Sequence, residues 1–435
     1  MKIQDYAVIL LLVATVAHAQ SQPQSTAAPK ITYVRCGTLY DGKNDTAHKN
    51  VWIRVVGGKI DRLGDLIPEE RGSETVDLNR EVCLPGLIDT HTHVLLQGDV
   101  TSEDYELQIL KYSTPYRTIL GTVAARRALE YGFTAIRDVE TEGAGYADVD
   151  IKKAINAGII PGPRMQVAGR SMDVTGAYPV LGYSWELKWP KGVQEVDGAD
   201  DGRKAVREQI SNGVDWIKVY SDRSYRVQPE GALDDVPTFT PDELRAIVDE
   251  AHRERHKVAS HASALNGVHN SVEAGVDTIE HGFYIADSDL KMMVAKGIYY
   301  VPTLFVGEYV AEGRAAEGAH VWVDMINIHA ATFKRALNAG VKIAFGTDAG
   351  GFPWTVNPAK EFALMVKYGM MPAQALRSAT MISAELLGMQ DQIGSLEPGK
   401  FADVVAVPSG PMADITQMEK VNFVMKSGAV YKRPE

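Results

Sequence analysis

His91 and His93 stand two apart at the end of an apolar run, Leu-Pro-Gly-Leu-Ile-Asp-Thr-His-Thr-His-Val over residues 84–94. In a strand, side chains at i and i+2 point to the same face, so both imidazoles would aim at one point. A lone His-x-His is more often the mark of two unrelated core or surface histidines. The rest of the chain weighs against that reading, because similar apolar runs end in residues that bind metals or move protons. Lys218 lies in Trp-Ile-Lys-Val-Tyr, His261 in Val-Ala-Ser-His-Ala, His281 in Ile-Glu-His-Gly and Asp348 in Phe-Gly-Thr-Asp-Ala-Gly. Four histidines and a carboxylate at strand ends match the ligand chemistry of divalent metals. Lys218 is the odd member, since a protonated ammonium would repel cations. A desolvated lysine loses its proton readily and can then take up CO2 as an anionic carbamate able to bridge two metals. An unmodified Lys218 in a mononuclear enzyme is the competing reading.

These residues need elements to converge them. From 85 to 390 the chain alternates apolar runs with amphipathic segments. The expected strands are Leu87–Val94, Thr134–Val139, Arg164–Gly169, Asp215–Ser221, Lys257–Ser263, Thr278–Phe283, Tyr299–Phe305 and Lys342–Gly350. Helical patterns lie between them, including Tyr116–Tyr131, Asp201–Gly213, Thr240–Arg255 and Val321–Gly340. Glycines stand where C-caps belong, and Thr240-Pro241 reads as an N-cap and first-turn pair. Eight strand–helix units in series predict an α/β fold, a (β/α)8 TIM barrel, whose strand ends meet at one mouth. Two strand-to-helix connections, about 170–200 and 221–239, are long enough to overhang that mouth. Within them, Trp185 and Trp189 read either as a lid on substrate or as loop anchors. His252, His256, His269, His320 and His329 fall on helical patterns and read as surface or packing residues.

The two ends differ from the middle. Residues 30–84 and 391–435 carry short alternating strands broken by Gly and Asp signals, and together predict one small β-sandwich domain. Residues 1–19 combine Lys2, an apolar run and Ala17-His18-Ala19, an A-x-A cleavage site; they read as a signal peptide, too short to span a bilayer. Residues 20–29 read as a flexible leader. The expectation is an exported protein, periplasmic or secreted, with no membrane span. An oxidising compartment would permit a disulfide between Cys36 and Cys83, and two buried free thiols fit the sequence equally well. The chain has 435 residues, 45% hydrophobic and 23% charged, with a formal net charge of −11. That acidic balance argues against nucleic acid as a partner, because phosphate binding needs clustered Lys and Arg.

The motifs resemble the amidohydrolase superfamily. They include PGLIDTHTH (85–93), GFTAIRDVE (132–140), WIKVYSDRS (216–224), VASHA (258–262), IEHG (279–282), FGTDAG (345–350) and GSLEPGKFADVV (394–405). The likeness covers nearly the whole chain after the leader. It is to the branch of imidazolonepropionase and the exported metal-dependent Xaa-Pro and Xaa-Arg/Lys carboxypeptidases, with ochratoxin-hydrolysing amidases also similar. The resemblance implies that His91 and His93 bind a buried metal, that carboxylated Lys218 bridges two divalent ions, and that His261 and His281 bind the second. Asp348 would be both ligand and proton shuttle. Zinc is the first expectation, with manganese and cobalt compatible with the same donors. The resemblance also implies a homo-oligomer.

A carboxypeptidase must hold the free carboxylate of a dipeptide or N-acyl amino acid, and a cation or phenol is the usual means. Tyr220, Arg223 and Tyr225, in the stretch after Lys218, are the expected substrate-binding residues, with Tyr178 and Arg170 weaker candidates. Ochratoxin is an aryl amide of phenylalanine, so an apolar leaving residue fits. Hydrolysis of a cyclic amide or lactone is the rival reaction, and a non-catalytic barrel is the rival from another class. The latter would need lost ligands, and none is missing.

Overall fold

The computed structural model describes residues 30–178 and 183–434. The expected signal peptide and leader lie outside the described residues, as do residues 179–182 of the first long connection.

The barrel is assembled from parallel strands whose residues are buried on both faces, as continuous apolar runs dictate. Leu87–Thr92, Phe133–Asp138 and Arg164–Val167 pair in sequence order. Trp216–Tyr220, Lys257–Ala262, Thr278–His281 and Tyr299–Val301 continue the wall. Asp215 joins the two groups: its N–H donates to the Val167 carbonyl at 2.7 Å, and its carboxylate accepts from the Val167 N–H at 2.8 Å. The eighth expected strand, 342–350, is not a regular strand. It closes the barrel through single bridges, Tyr300 to Ile343 and Thr92 to Ala349. The left-handed backbone of Asp348 (φ 60°) and the Gly-rich sequence around it break the ladder there.

The helices between strands match their sequence signals within a residue or two. Pro241–Arg253 starts at a complete capping box between Thr240 and Glu243. Leu265–Ala274 and Val321–Ala339 each end on a glycine, Gly275 and Gly340, in the left-handed conformation. No helix among the described residues is long and apolar enough to cross a membrane.

Both chain ends enter one seven-stranded sheet, in which Glu74–Pro85 from the first end pairs with Val404–Val407 from the last. The expected sandwich is therefore a single sheet that curls on itself. Its far edge returns to residues 399–402 through Ile60 N–H to Lys400 O and Gly399 N–H to Ile60 O. Its core packs Val34, Ile53, Leu78, Val404 and Phe423 around a Cys36–Cys83 disulfide. The second long connection is also more ordered than a loop: Asp222–Val227 and Leu233–Pro237 form an antiparallel hairpin over the barrel mouth.

Candidate active site

The strand ends deliver the predicted residues to one place. His93 Nε2 lies 3.3 Å from His91 Nε2 and 3.1 Å from Asp348 Oδ1, and His91 Nε2 lies 3.5 Å from the same oxygen. The ring of His281 sits 4.8 Å from that of His91 and 4.5 Å from that of His261. A cavity of about 230 Å³ opens on His93, Lys218, His261, His281 and Asp348, with fully buried His91 directly behind. Residues 89 and 347 hold this register. Asp89 accepts from the Thr347 hydroxyl at 2.6 Å and from the Thr347 and His91 N–H groups at 3.1 Å, tying the first strand to the closing segment.

The imidazoles are oriented from behind. Glu280 can only accept at His91 Nδ1 (2.6 Å), so that nitrogen carries the proton and Nε2 presents its lone pair. Tyr225 donates its one phenolic proton to Asp222 at 2.9 Å, so its oxygen accepts from His261 Nε2–H at 3.0 Å, leaving Nδ1 free. Thr303 occupies Nδ1 of His281 at 2.8 Å. His281, Thr303 and Asp348 are all non-glycine residues at positive φ, a costly conformation concentrated at this mouth.

Electrostatics keep the donors in ligand form. Burial, aided by the Lys218 charge, pushes His91 down to about 4, and burial drives His261 and His281 well below the ordinary histidine value. Burial lowers Lys218 as well, toward the neutral amine that carbamate formation requires. Burial would raise Asp348, but the hydrogen bond from His93 and the surrounding charges hold it below the ordinary range. Glu280 is likewise held at about 2: burial opposes ionisation, and Arg137 and His91 outweigh it. These neutral nitrogens, ionised carboxylates and a deprotonable lysine fit divalent cations. His91, His93 and Asp348 place one ligand atom each within 4.8 Å of one another.

The three expected substrate-binding residues, Tyr220, Arg223 and Tyr225, all line the cavity, with different hydrogen-bond commitments. The Tyr220 hydroxyl donates to Glu140 at 2.7 Å, and that of Tyr225 is committed to Asp222 and His261. Both phenols line the cavity with no hydroxyl proton to spare. Arg223 lines it too, and the one hydrogen bond of its guanidinium among the described residues is a 3.5 Å contact to the Gly176 carbonyl. Tyr178 reaches the cavity, whereas Arg170, Trp185 and Trp189 are not among its lining residues. Trp185 is 90% exposed, and Trp189 packs on Tyr183. None of the five histidines on helical sequence patterns reaches the cavity, and His256 and His320 fall just outside the helices; His329, the one buried among them, packs on Phe283 and bonds Tyr300 OH at 3.0 Å.

Sequence reasoning missed the supporting residues. Arg137 and Glu280 are fully buried and paired at 2.6 Å, with Arg137 stacked 4.4 Å from the Trp216 ring. The available signal was an arginine and a glutamate in apolar strands, but only the barrel shows that the two meet.

Residues 82–431 match the amidohydrolase family. The chain is 30% identical to ochratoxinase of Aspergillus niger, over 94% of this chain and 88% of that protein. A crystal structure of a Xaa-Pro dipeptidase with bound methionine superposes with a TM-score of 0.82 at 34% identity, covering 93% of this chain and all of that one. A prolidase complexed with N-methylphosphonate-L-proline superposes with a TM-score of 0.82 at 27% identity, with coverage of 93% and 100%. The chain belongs to the amidohydrolase family and is a metal-binding hydrolase acting on amide bonds.

Proposed function

We propose that this protein is a binuclear metal-dependent amidohydrolase that releases the C-terminal amino acid of a dipeptide or N-acyl amino acid. Arg223 carries this reading: it is a cavity-lining guanidinium beside the donor cluster, with no carboxylate partner among the described residues. A planar cation of that kind recognises a free carboxylate. The likeness to a dipeptidase, a prolidase and an ochratoxinase supports the same substrate class.

His91, His93, Lys218 as its carbamate, His261, His281 and Asp348 would hold two divalent ions, zinc first among them. Such ions supply a Lewis acid for the scissile carbonyl and lower the pKa of water at the site. The chain's own groups do the rest. Asp348 takes the proton of the attacking water and passes it to the leaving nitrogen, which cannot depart as an amide anion. Arg223 fixes the carboxylate, and with it the distance from Asp348 to the scissile bond. Glu280, Thr303 and Tyr225 hold the imidazole rings in place.

The reading includes export, for which the N-terminal apolar segment with its A-x-A site argues. The Cys36–Cys83 disulfide is in keeping with an oxidising compartment.

The test is a metal-replete panel of N-acyl amino acids and dipeptides, each beside its C-terminal amide, with free amino acid as readout. Release confined to the free acids supports the reading. Equal kcat/KM on acid and amide overturns carboxylate recognition. Silence across the panel with two metals bound moves the assignment to cyclic amides or lactones.

A further inference from the structure

One buried carboxylate on the cavity wall has no role in this chemistry. Glu142 follows the second barrel strand, is 3% exposed, and sits at φ 49°, a left-handed conformation for a non-glycine residue. Arg117 maintains that conformation by donating to the Glu142 and Thr141 main-chain carbonyls, at 2.7 and 3.1 Å, not to the carboxylate. The carboxylate itself receives the hydroxyls of Tyr105 at 2.9 Å and Tyr178 at 3.4 Å. Among the described residues no cation forms an ion pair with it, and neighbouring Glu140 accepts from the hydroxyls of Ser171 and Tyr220. A further group in this corner is short of a partner: His93 Nδ1 is buried without a hydrogen bond. Ligand atoms of His93, Glu140 and Glu142 all lie within 4.8 Å of one another.

Neither buried acid has an ion-pair partner among the described residues, so a positive charge brought beside them is stabilised. The surroundings suit an organic cation. Oε2 of Glu142 is already occupied by two phenols, and the rings of Tyr105, Tyr178 and Tyr220 stand edge to face or tilted, 5.0–5.8 Å apart. Aromatic faces beside a carboxylate attract an ammonium. Reach then decides which ammonium. Glu142 is beside His93, so its partner must lie close to the scissile carbonyl. In a dipeptide the α-nitrogen is two bonds from that carbon, about 2.5 Å by standard geometry. An ε-ammonium at the end of a side chain stands much farther away.

We infer that Glu142 anchors the free α-ammonium of the substrate, making the enzyme a dipeptidase in preference to an N-acyl amino acid hydrolase. Tyr105 and Tyr178 position the carboxylate. The inference rests on the function proposed above and narrows it.

The experiment compares an alanyl amino acid with the N-propionyl derivative of the same amino acid, which differ only in the ammonium. Both are assayed with the metal-reconstituted full-length protein and with Glu142→Gln, metal content being measured in each. The wild type is expected to favour the alanyl compound about ten- to hundred-fold in kcat/KM, chiefly through KM, as a charged hydrogen bond warrants. In Glu142→Gln that preference collapses. Equal wild-type rates on the two compounds overturn the inference, and that comparison needs no variant to fold. Equal losses on both compounds, or loss of a metal equivalent in Glu142→Gln, also overturn it. If neither compound is hydrolysed, the carboxypeptidase reading fails, and calorimetric binding of the pair still decides this one. Tighter binding of the alanyl compound that depends on Glu142 supports the inference; equal binding overturns it.

Discussion

His91 Nδ1 and Glu280 Oε2 are 2.6 Å apart, and both side chains are fully buried. The same carboxylate takes Arg137 on its other oxygen at 2.6 Å. One glutamate thus fixes a histidine tautomer and neutralises a buried guanidinium. Glu280→Gln is expected to lower metal affinity about 10- to 100-fold, the usual effect of losing such a supporting group. It also leaves Arg137 without its counter-charge, at a cost of about 3–5 kcal/mol in stability. Calorimetric metal titration and denaturant melts separate the two effects. Unchanged values in both would show that the pair is incidental.

Asp348 meets both His91 and His93 through one oxygen. Asp348→Asn preserves the shape but cannot accept a proton, so kcat is expected to fall about 10²- to 10⁴-fold. Metal content measured on the same sample distinguishes lost proton transfer from lost binding. A variant with full activity rules Asp348 out as the proton shuttle.

Lys218 is fully buried among groups that favour a bound cation. Recovery of activity in metal-free protein is expected to be faster with added bicarbonate than in CO2-depleted buffer. Native mass spectrometry should show one added CO2, absent in Lys218→Met. Recovery at the same rate in both buffers would mean an unmodified lysine.

Cys36 and Cys83, 47 residues apart in sequence, are joined within the small sheet. Closing a loop of that length restricts the unfolded chain by about 4 kcal/mol in the chain-entropy account. The double variant Cys36→Ser, Cys83→Ser is expected to melt at a lower temperature while metal binding by the barrel persists. An unchanged Tm would place the stability of the fold elsewhere.

Glu397 binds Lys43, Ser395 and Lys400, and these contacts hold it at about 2, against an ordinary value of 4.5. A carboxylate depressed in the folded state adds stability that is complete above its unfolded value and disappears as pH falls through its folded one. Glu397→Gln should therefore be less stable than wild type at neutral pH, with the gap closing as pH falls through about 2. Melts across that range provide the check, and a gap that persists in acid would assign the effect to packing.

The chain's own residue order determined a good deal. Apolar runs of strand length, each followed by an amphipathic helix, specify a barrel, because burial on both faces and crossover helices leave few other arrangements. Donor-type residues at the ends of those runs were legible for the same reason: strand ends in a barrel share one mouth. Other features were decided only through space. Whether Cys36 meets Cys83 depends on strands paired across the small sheet, and its sandwich-like pattern does not reveal that one sheet curls back on itself. The segment around Asp348 reads as a strand by composition, yet its left-handed turn leaves it with bridges alone. Tyr220 and Tyr225 look like free phenols in sequence, yet Glu140 and His261, distant along the chain, and Asp222, three residues before Tyr225, take up their hydroxyls. Periodicity reports which way a side chain points; hydrogen-bond partners far away in sequence decide what it is free to do.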